Sequence, residues 1–218
     1  MGLAAVSATG AMAADLGGGS YKDGPVYDSG AGWMIRGRAI WVVPNADISG
    51  AHGLGVDDIS ISNEVVPELD ISYFFNRNLA VELILGTTKH SVDATDGAAQ
   101  GANLGNVWLL PPTLMLQYHF NLNQTIKPYI GAGVNYTIFY GEDGTMKDLG
   151  GLKNTFGFAA QAGVDIQIAG PWHANIDVKR LWLDTEFKDA PGAKVDIDPW
   201  IVGVGLGYKF GGSAAPLK

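Results

Sequence analysis

Eight stretches of this chain alternate apolar and polar side chains with a period of two. In seven of them every charge falls on the face opposite the bulky apolar row. The stretches are 33–43, 64–75, 78–88, 107–120, 126–140, 155–168, 172–185 and 199–210, and helical spacing is weak throughout. Their connections alternate in length. Asn76-Arg77, Asn121 to Thr125 and Ala169-Gly170 are short and built from turn-forming residues, whereas 44–63, 89–106, 141–154 and 186–198 are long and rich in Gly, Asp and Asn. Long loops at one end and tight turns at the other predict an all-β chain, an eight-stranded antiparallel up-and-down transmembrane β-barrel over 33–210.

The apolar row decides which side faces lipid. It carries Trp41, Tyr73, Phe75, Trp108, Tyr118, Phe120, Tyr136, Phe156, Phe158, Trp200, Tyr208 and Phe210, mostly near segment ends. An eight-stranded interior is too narrow for so many rings, whereas aromatic girdles belong on a lipid-facing wall. A soluble two-sheet sandwich is the alternative reading. In the seventh segment Arg180 falls on the apolar face; at mid-membrane it would cost roughly 2–4 kcal/mol, so it is expected to snorkel or to sit beside a bulge.

Composition narrows the function classes. The chain has no Cys, which removes disulfide scaffolds, zinc knuckles and thiol catalysis. A net charge of -8 argues against nucleic-acid binding. The start, ending Ala11-Met12-Ala13, resembles the end of a signal peptide but lacks a basic region. Residues 1–13 are therefore expected to be a signal-peptide remnant, 14–32 a flexible periplasmic lead-in and 211–218 a C-terminal extension. No cofactor or metal is expected.

The inward face divides by height. Near the turns and at mid-height lie Arg36, Arg38, Glu68, Asp70, Glu82, His119, Lys127, Asp165, Asp177, Lys179 and Lys209, a near-balance of charge that predicts an interior plug of ion pairs. Toward the long loops the inward residues are Ile40, Val42, Val66, Ile84, Val107, Leu109, Met115, Phe139, Leu181, Leu183 and Ile201. These read either as a packed apolar plug or as a funnel for small apolar solutes or detergent tails. Pro67 and Pro111-Pro112 flank the third segment, and proline cannot donate to a β-ladder. They mark either a lateral gate or a harmless kink.

At these residues the chain resembles the OmpW/AlkL group of small outer-membrane barrels. The resemblance rests on Pro111-Pro112-Thr113-Leu114 with Gln117-Tyr118-His119-Phe120, and on the run from Lys127-Pro128-Tyr129 to Asn135-Tyr136. Asn175-Ile176-Asp177-Val178-Lys179 and Asp198-Pro199-Trp200 through Gly205 to Phe210 complete it. It implies a Gram-negative outer-membrane channel that passes small hydrophobic molecules and releases them laterally into the membrane. The implied partners are outer-membrane lipid, lipopolysaccharide and the outer-membrane assembly machinery. Two departures stand out: Gly211 to Lys218 continue past the terminal aromatic, and Arg180 replaces an apolar residue.

Catalysis is not expected. The histidines His52, His90, His119 and His173 have no Ser and acid at a convincing spacing. The rival is a structural or adhesive barrel acting through its extracellular loops, which hold twelve acidic against five basic residues.

Overall fold

The computed structural model describes residues 30–51, 55–121 and 125–211, together with the backbone of the short strands Val26–Tyr27 and Ala215–Pro216. The expectations for 1–13, most of 14–32 and most of 211–218 lie outside these residues, as does His52. Val26–Tyr27 pairs antiparallel with Ala215–Pro216.

Eight strands close into an antiparallel barrel: β1 (Gly32–Val43), β2 (Glu64–Phe74), β3 (Leu79–Gly86), β4 (Thr113–His119), β5 (Ile126–Tyr140), β6 (Thr155–Ala169), β7 (Trp172–Trp182) and β8 (Trp200–Phe210). Each pairs with its neighbours in sequence, and β8 returns to β1 from Trp200↔Val43 to Phe210↔Trp33. Strict alternation produces this closure, because the period-2 pleat sends one row outward and the next inward. Thus β1 reads buried and exposed in turn from Gly32 to Val42. The tight turns use side-chain chemistry. Asn76 Oδ1 accepts from the amides of Asn78 and Leu79, and Gly170 supplies a positive φ of 51°.

The outer wall is apolar and ringed by aromatics at both rims. Trp33 packs on Tyr73 with centroids 4.9 Å apart, and Trp172 on Tyr208 at 5.0 Å; Trp108 stacks on Tyr140 at the other rim. Arg180 is accommodated without any shift of register in β7, by a 3.3 Å ion pair to Asp198 and by stacking on Trp200. Asp198 is the one non-glycine residue with positive φ (32°) among the described residues, and its carboxylate also accepts from Leu183 N.

Two sequence expectations need correction. The third and fourth segments are not continuous strands. β3 stops at Gly86 and the chain resumes at Thr88–Asp96; Asn103–Leu110 is separated from β4 by Pro111-Pro112. The long connections, read as loops, also contain paired strands. Thr88–Asp96 pairs with Asn103–Leu110 and with Asp58–Ile61, while Asp47–Ser49, Lys194–Asp196 and Asp184–Glu186 form a separate three-stranded sheet. With the short helix Gly144–Asp148 they roof the barrel, turning apolar side chains such as Ile48, Ile59, Val92, Met146 and Val195 inward over its end.

Candidate functional site

At mid-height the interior is filled by a buried ion network. β1 supplies two arginines two residues apart, so both point inward, one rung above the other. Arg36 binds Asp165 bidentately, Nε to Oδ1 at 3.1 Å and Nη2 to Oδ2 at 2.6 Å, and also donates to Glu82 and Ser72. Arg38 donates to Asn175, Glu68 and the Tyr129 hydroxyl, and lies 3.1 Å from Asp70. Lys179 Nζ reaches Glu68 at 2.6 Å and Asp177 at 3.0 Å. Gln117 and Gln161 both donate to Glu82 Oε2.

The network departs from the expected composition in two respects. Lys127 sits directly across the ladder from Asp165, yet it makes no ion pair among the described residues, since Arg36 holds that carboxylate. With Lys209 it lines a separate cavity of about 570 Å³ at the turn end, together with His119 and His173. Among the described residues the fully buried charges are not balanced: Glu68, Asp70, Glu82, Asp165 and Asp177 stand against Arg36, Arg38 and Lys179. Neither Asp70 oxygen nor Asp177 Oδ1 receives a hydrogen bond. Sequence reasoning also missed Tyr129, whose hydroxyl donates to Asp177 at 2.7 Å and accepts from Arg38 and Asn175. Its ring lies over Gly163, where any Cβ would overlap the phenol.

Above this network is an enclosed apolar cavity of about 70 Å³. Ile40, Val42, Ile84, Leu109, Phe139, Leu181, Leu183 and Ile201 line it, with Glu68 and Lys179 also on its surface. Val66 and Met115 do not. Val66 is half-buried at the edge of the core, and Met115 packs onto Gly133, whose missing side chain leaves room for the thioether. The roof adds lining that the barrel segments did not reveal, including Ile48, Ile59, Val92, Met146, Phe187 and Val195. The signal was present in short alternations such as Ile59-x-Ile61 and Val195-x-Ile197. His90 lines the cavity as well. Its Nδ1 donates to Ser62 O, and burial lowers its pKa from the ordinary 6.5.

The three prolines lie where the wall is discontinuous. Pairing of β3 with β4 ends at Ile84↔Thr113 and the same chains pair again only at Thr88↔Leu109. On the other flank, pairing of β2 with β3 ends at Glu68↔Gly86 and resumes at Ile61↔Val92. Pro67 and Pro111-Pro112 bracket this seam around Gly86–Thr87, and a missing N–H at each removes the donor a regular ladder needs. Gly86, Thr88 and Pro111 line the cavity, so the seam borders it directly. Among the described residues, no group of three His, Asp or Glu side chains is arranged to hold a metal.

A closed eight-stranded barrel with an apolar outer wall, aromatic rims and a charge-filled interior is a small outer-membrane β-barrel. Residues 30–210 match the OmpW family model, and the chain belongs to the OmpW family. It is 44% identical over 186 residues to outer-membrane protein y4mB of Sinorhizobium fredii, covering 82% of this chain and 80% of that protein. It is 30% identical over 162 residues to the dibenzothiophene metabolism operon protein PahQ of Pseudomonas aeruginosa, covering 72% and 75%. The crystal structure of OprG from Pseudomonas aeruginosa superposes with a TM-score of 0.68 at 30% identity, covering 83% of this chain and 96% of that one. The protein thus lies in the outer membrane, with its roofed end extracellular and its tight turns periplasmic.

Proposed function

We propose that the protein passes small apolar solutes from outside into the outer membrane, through the cavity beneath the roof and out sideways at the proline seam. The observation that carries this reading is the meeting of the two: an apolar cavity whose wall includes the residues where the β-ladder lapses. The ion network below gives the reason for a lateral route, because an apolar solute entering it would leave charges desolvated and unpaired. The relative PahQ belongs by name to an operon for an aromatic sulfur heterocycle, which is chemistry of the same apolar kind. A cavity of about 70 Å³ is less than half of the roughly 150 Å³ that admits benzene. Passage therefore requires the roof to move.

That small volume favours a second reading, a structural or adhesive barrel with a packed top that acts through its acidic surface. Uptake of naphthalene into proteoliposomes, set beside salt conductance in planar bilayers, separates the two. Leu181→Asp and Phe139→Lys put a charge into the cavity lining without touching the lipid face, and should abolish uptake while assembly persists. Unchanged uptake by assembled variants would leave the structural reading in place.

A further inference from the structure

Asn135 is almost completely buried in β5, and its side-chain nitrogen bonds across to the chain that flanks the proline seam. Its Nδ2 lies 3.1 Å from Pro111 O, 3.4 Å from Pro112 O and 2.8 Å from Thr113 Oγ1, so three acceptors share two hydrogens. The carbonyls can only accept, which turns the amide nitrogen toward them and leaves Oδ1 for Thr137, whose hydroxyl donates at 2.6 Å. Thr113 Oγ1 itself donates to Pro111 O. Thr113, Asn135 and Thr137 thus form a buried polar cluster beside the seam.

We infer that the Asn135 amide is the latch of the seam: it holds the Pro111–Thr113 chain against β5 where prolines have thinned the backbone ladder. For its role in solute release the latch rests on the lateral route proposed above; as a clamp on the wall it does not. The physical case is one of necessity and of kind. A buried primary amide in apolar surroundings is strongly unfavourable unless its donors are used, and here they are used on the segment flanking the seam. On the β5 side the ladder keeps its register from Asn135↔Thr113 to Ile138↔Leu110, and between them, where the two prolines donate nothing, Tyr136 N to Pro112 O at 3.1 Å supplements the amide. Backbone bonds open only as strands separate. A side-chain clamp opens when one residue changes rotamer, and Thr137 holds that rotamer in place.

Amide hydrogen exchange of the full chain in lipid nanodiscs tests the latch, with naphthalene release from preloaded protein measured in parallel. Asn135→Leu keeps approximate volume and removes every donor. Exchange at Thr87, Thr88, Leu110 and Thr113 should speed up by about tenfold or more, the factor a lost 1.4 kcal/mol gives, within the range for an unmet buried bond. Exchange at Gly37 and Ala39, in an unbroken part of β1, should not change. Asn135→Asp keeps the shape but presents an acceptor where a donor is needed. With rates corrected for intrinsic exchange and set against wild type at each pH, its seam should exchange fast at pH 8 and return toward wild type as acid protonates the carboxyl, a profile that a mere packing role would not produce. Thr137→Val should give a smaller effect of the same pattern. No change at the seam, or equal acceleration at Gly37 and Ala39, would overturn the latch. Accelerated seam exchange with unaltered naphthalene release would uphold the latch and instead overturn the lateral route.

Discussion

Glu68 Oε1 accepts from Lys179 Nζ at 2.6 Å, and this one ion pair is both the floor of the apolar cavity and the top of the buried charge network. The protein thus changes from hydrocarbon-like to ionic across a single rung of the barrel. Toward the tight turns the charge continues, Arg38 with Asp70 and Asp177, then Arg36 with Glu82 and Asp165. Above it the barrel strands contribute aliphatic and aromatic side chains. The boundary sets what can go down the barrel axis and what is turned aside.

Five buried carboxylates against three cations predict asymmetric mutational effects. Arg38→Ala takes the ion-pair partner from Asp70 and leaves Glu68 and Asp177 to Lys179, and should cost about 3–5 kcal/mol. Asp70→Asn removes a charge whose oxygens receive no hydrogen bond, and should be neutral or stabilising. Lys153→Ala, which breaks an exposed pair with Glu186, should cost at most about 1 kcal/mol. Urea unfolding from lipid vesicles measures all three. Equal losses for Arg38→Ala and Lys153→Ala would contradict the network.

The barrel strands were legible in the sequence because lipid on one side and a packed interior on the other impose strict alternation over eight or more residues. That pattern separates Ile35, Gly37 and Ala39 from Arg36, Arg38 and Ile40. The roof strands were not legible. Asp47–Ser49 and Lys194–Asp196 are three residues each, so an alternation such as Val195-x-Ile197 is too short to stand out from loop sequence. Parity placed Arg36 and Lys127 on the same interior but could not say which would take Asp165, since that depends on side-chain reach across the barrel. Asn135 likewise read as inward, while its partners Pro111 and Pro112 lie more than twenty residues away in the chain.

The roof sheet should respond to pH in a defined direction. Asp184, Asp196 and Asp47 lie directly opposite one another on its three strands, an unfavourable rung of like charges. Partial burial and these neighbours raise the Asp196 carboxyl above its ordinary 3.8. The folded sheet therefore takes up a proton more readily than the unfolded chain, and gains stability as pH falls through the raised value toward 3.8. His90 has the opposite sign. Its lowered pKa favours the folded state above 6.5, and that contribution is lost as pH drops from 6.5 through the folded value. As pH falls from 7 toward 3.8, amide exchange corrected for intrinsic rate should slow in Asp47–Ser49 and speed up in Thr88–Asp96. Parallel changes in both segments would contradict these assignments.

Asp198 combines a positive φ with two side-chain bonds, and the two contributions can be separated. Asp198→Gly relieves the backbone but loses the bonds to Arg180 and Leu183 N; Asp198→Ala loses the bonds and keeps the strain. Asp198→Ala should therefore be the less stable by about 1 kcal/mol. Arg180→Leu should change stability little, because the arginine is paired at the rim rather than buried in the wall. Thermal unfolding in detergent ranks the three variants.

Met146 offers the most direct handle on the roof. It is the buried residue of the helix Gly144–Asp148, and its side chain projects into the cavity lining from above. The helix is tied down by backbone bonds from Gly151 to Met146 and from Lys147 to Asp143, and Asp143 in turn accepts from Asn106. None of these contacts involves the thioether. Met146→Ala should thus preserve the helix and its tether while removing volume from the cavity lining. Buried Met→Ala changes cost about 2–5 kcal/mol, part of it as residual void. In this protein the void adds to the space a solute must occupy, and the loss falls on the roof rather than on the barrel below. Naphthalene uptake into proteoliposomes should rise, with unfolding of the barrel in urea little changed and salt conductance still absent, since Arg36 and Arg38 continue to fill the interior. Met146→Phe should have the opposite effect, filling the cavity and slowing uptake. If both variants assemble and neither alters uptake, solute does not pass beneath the roof.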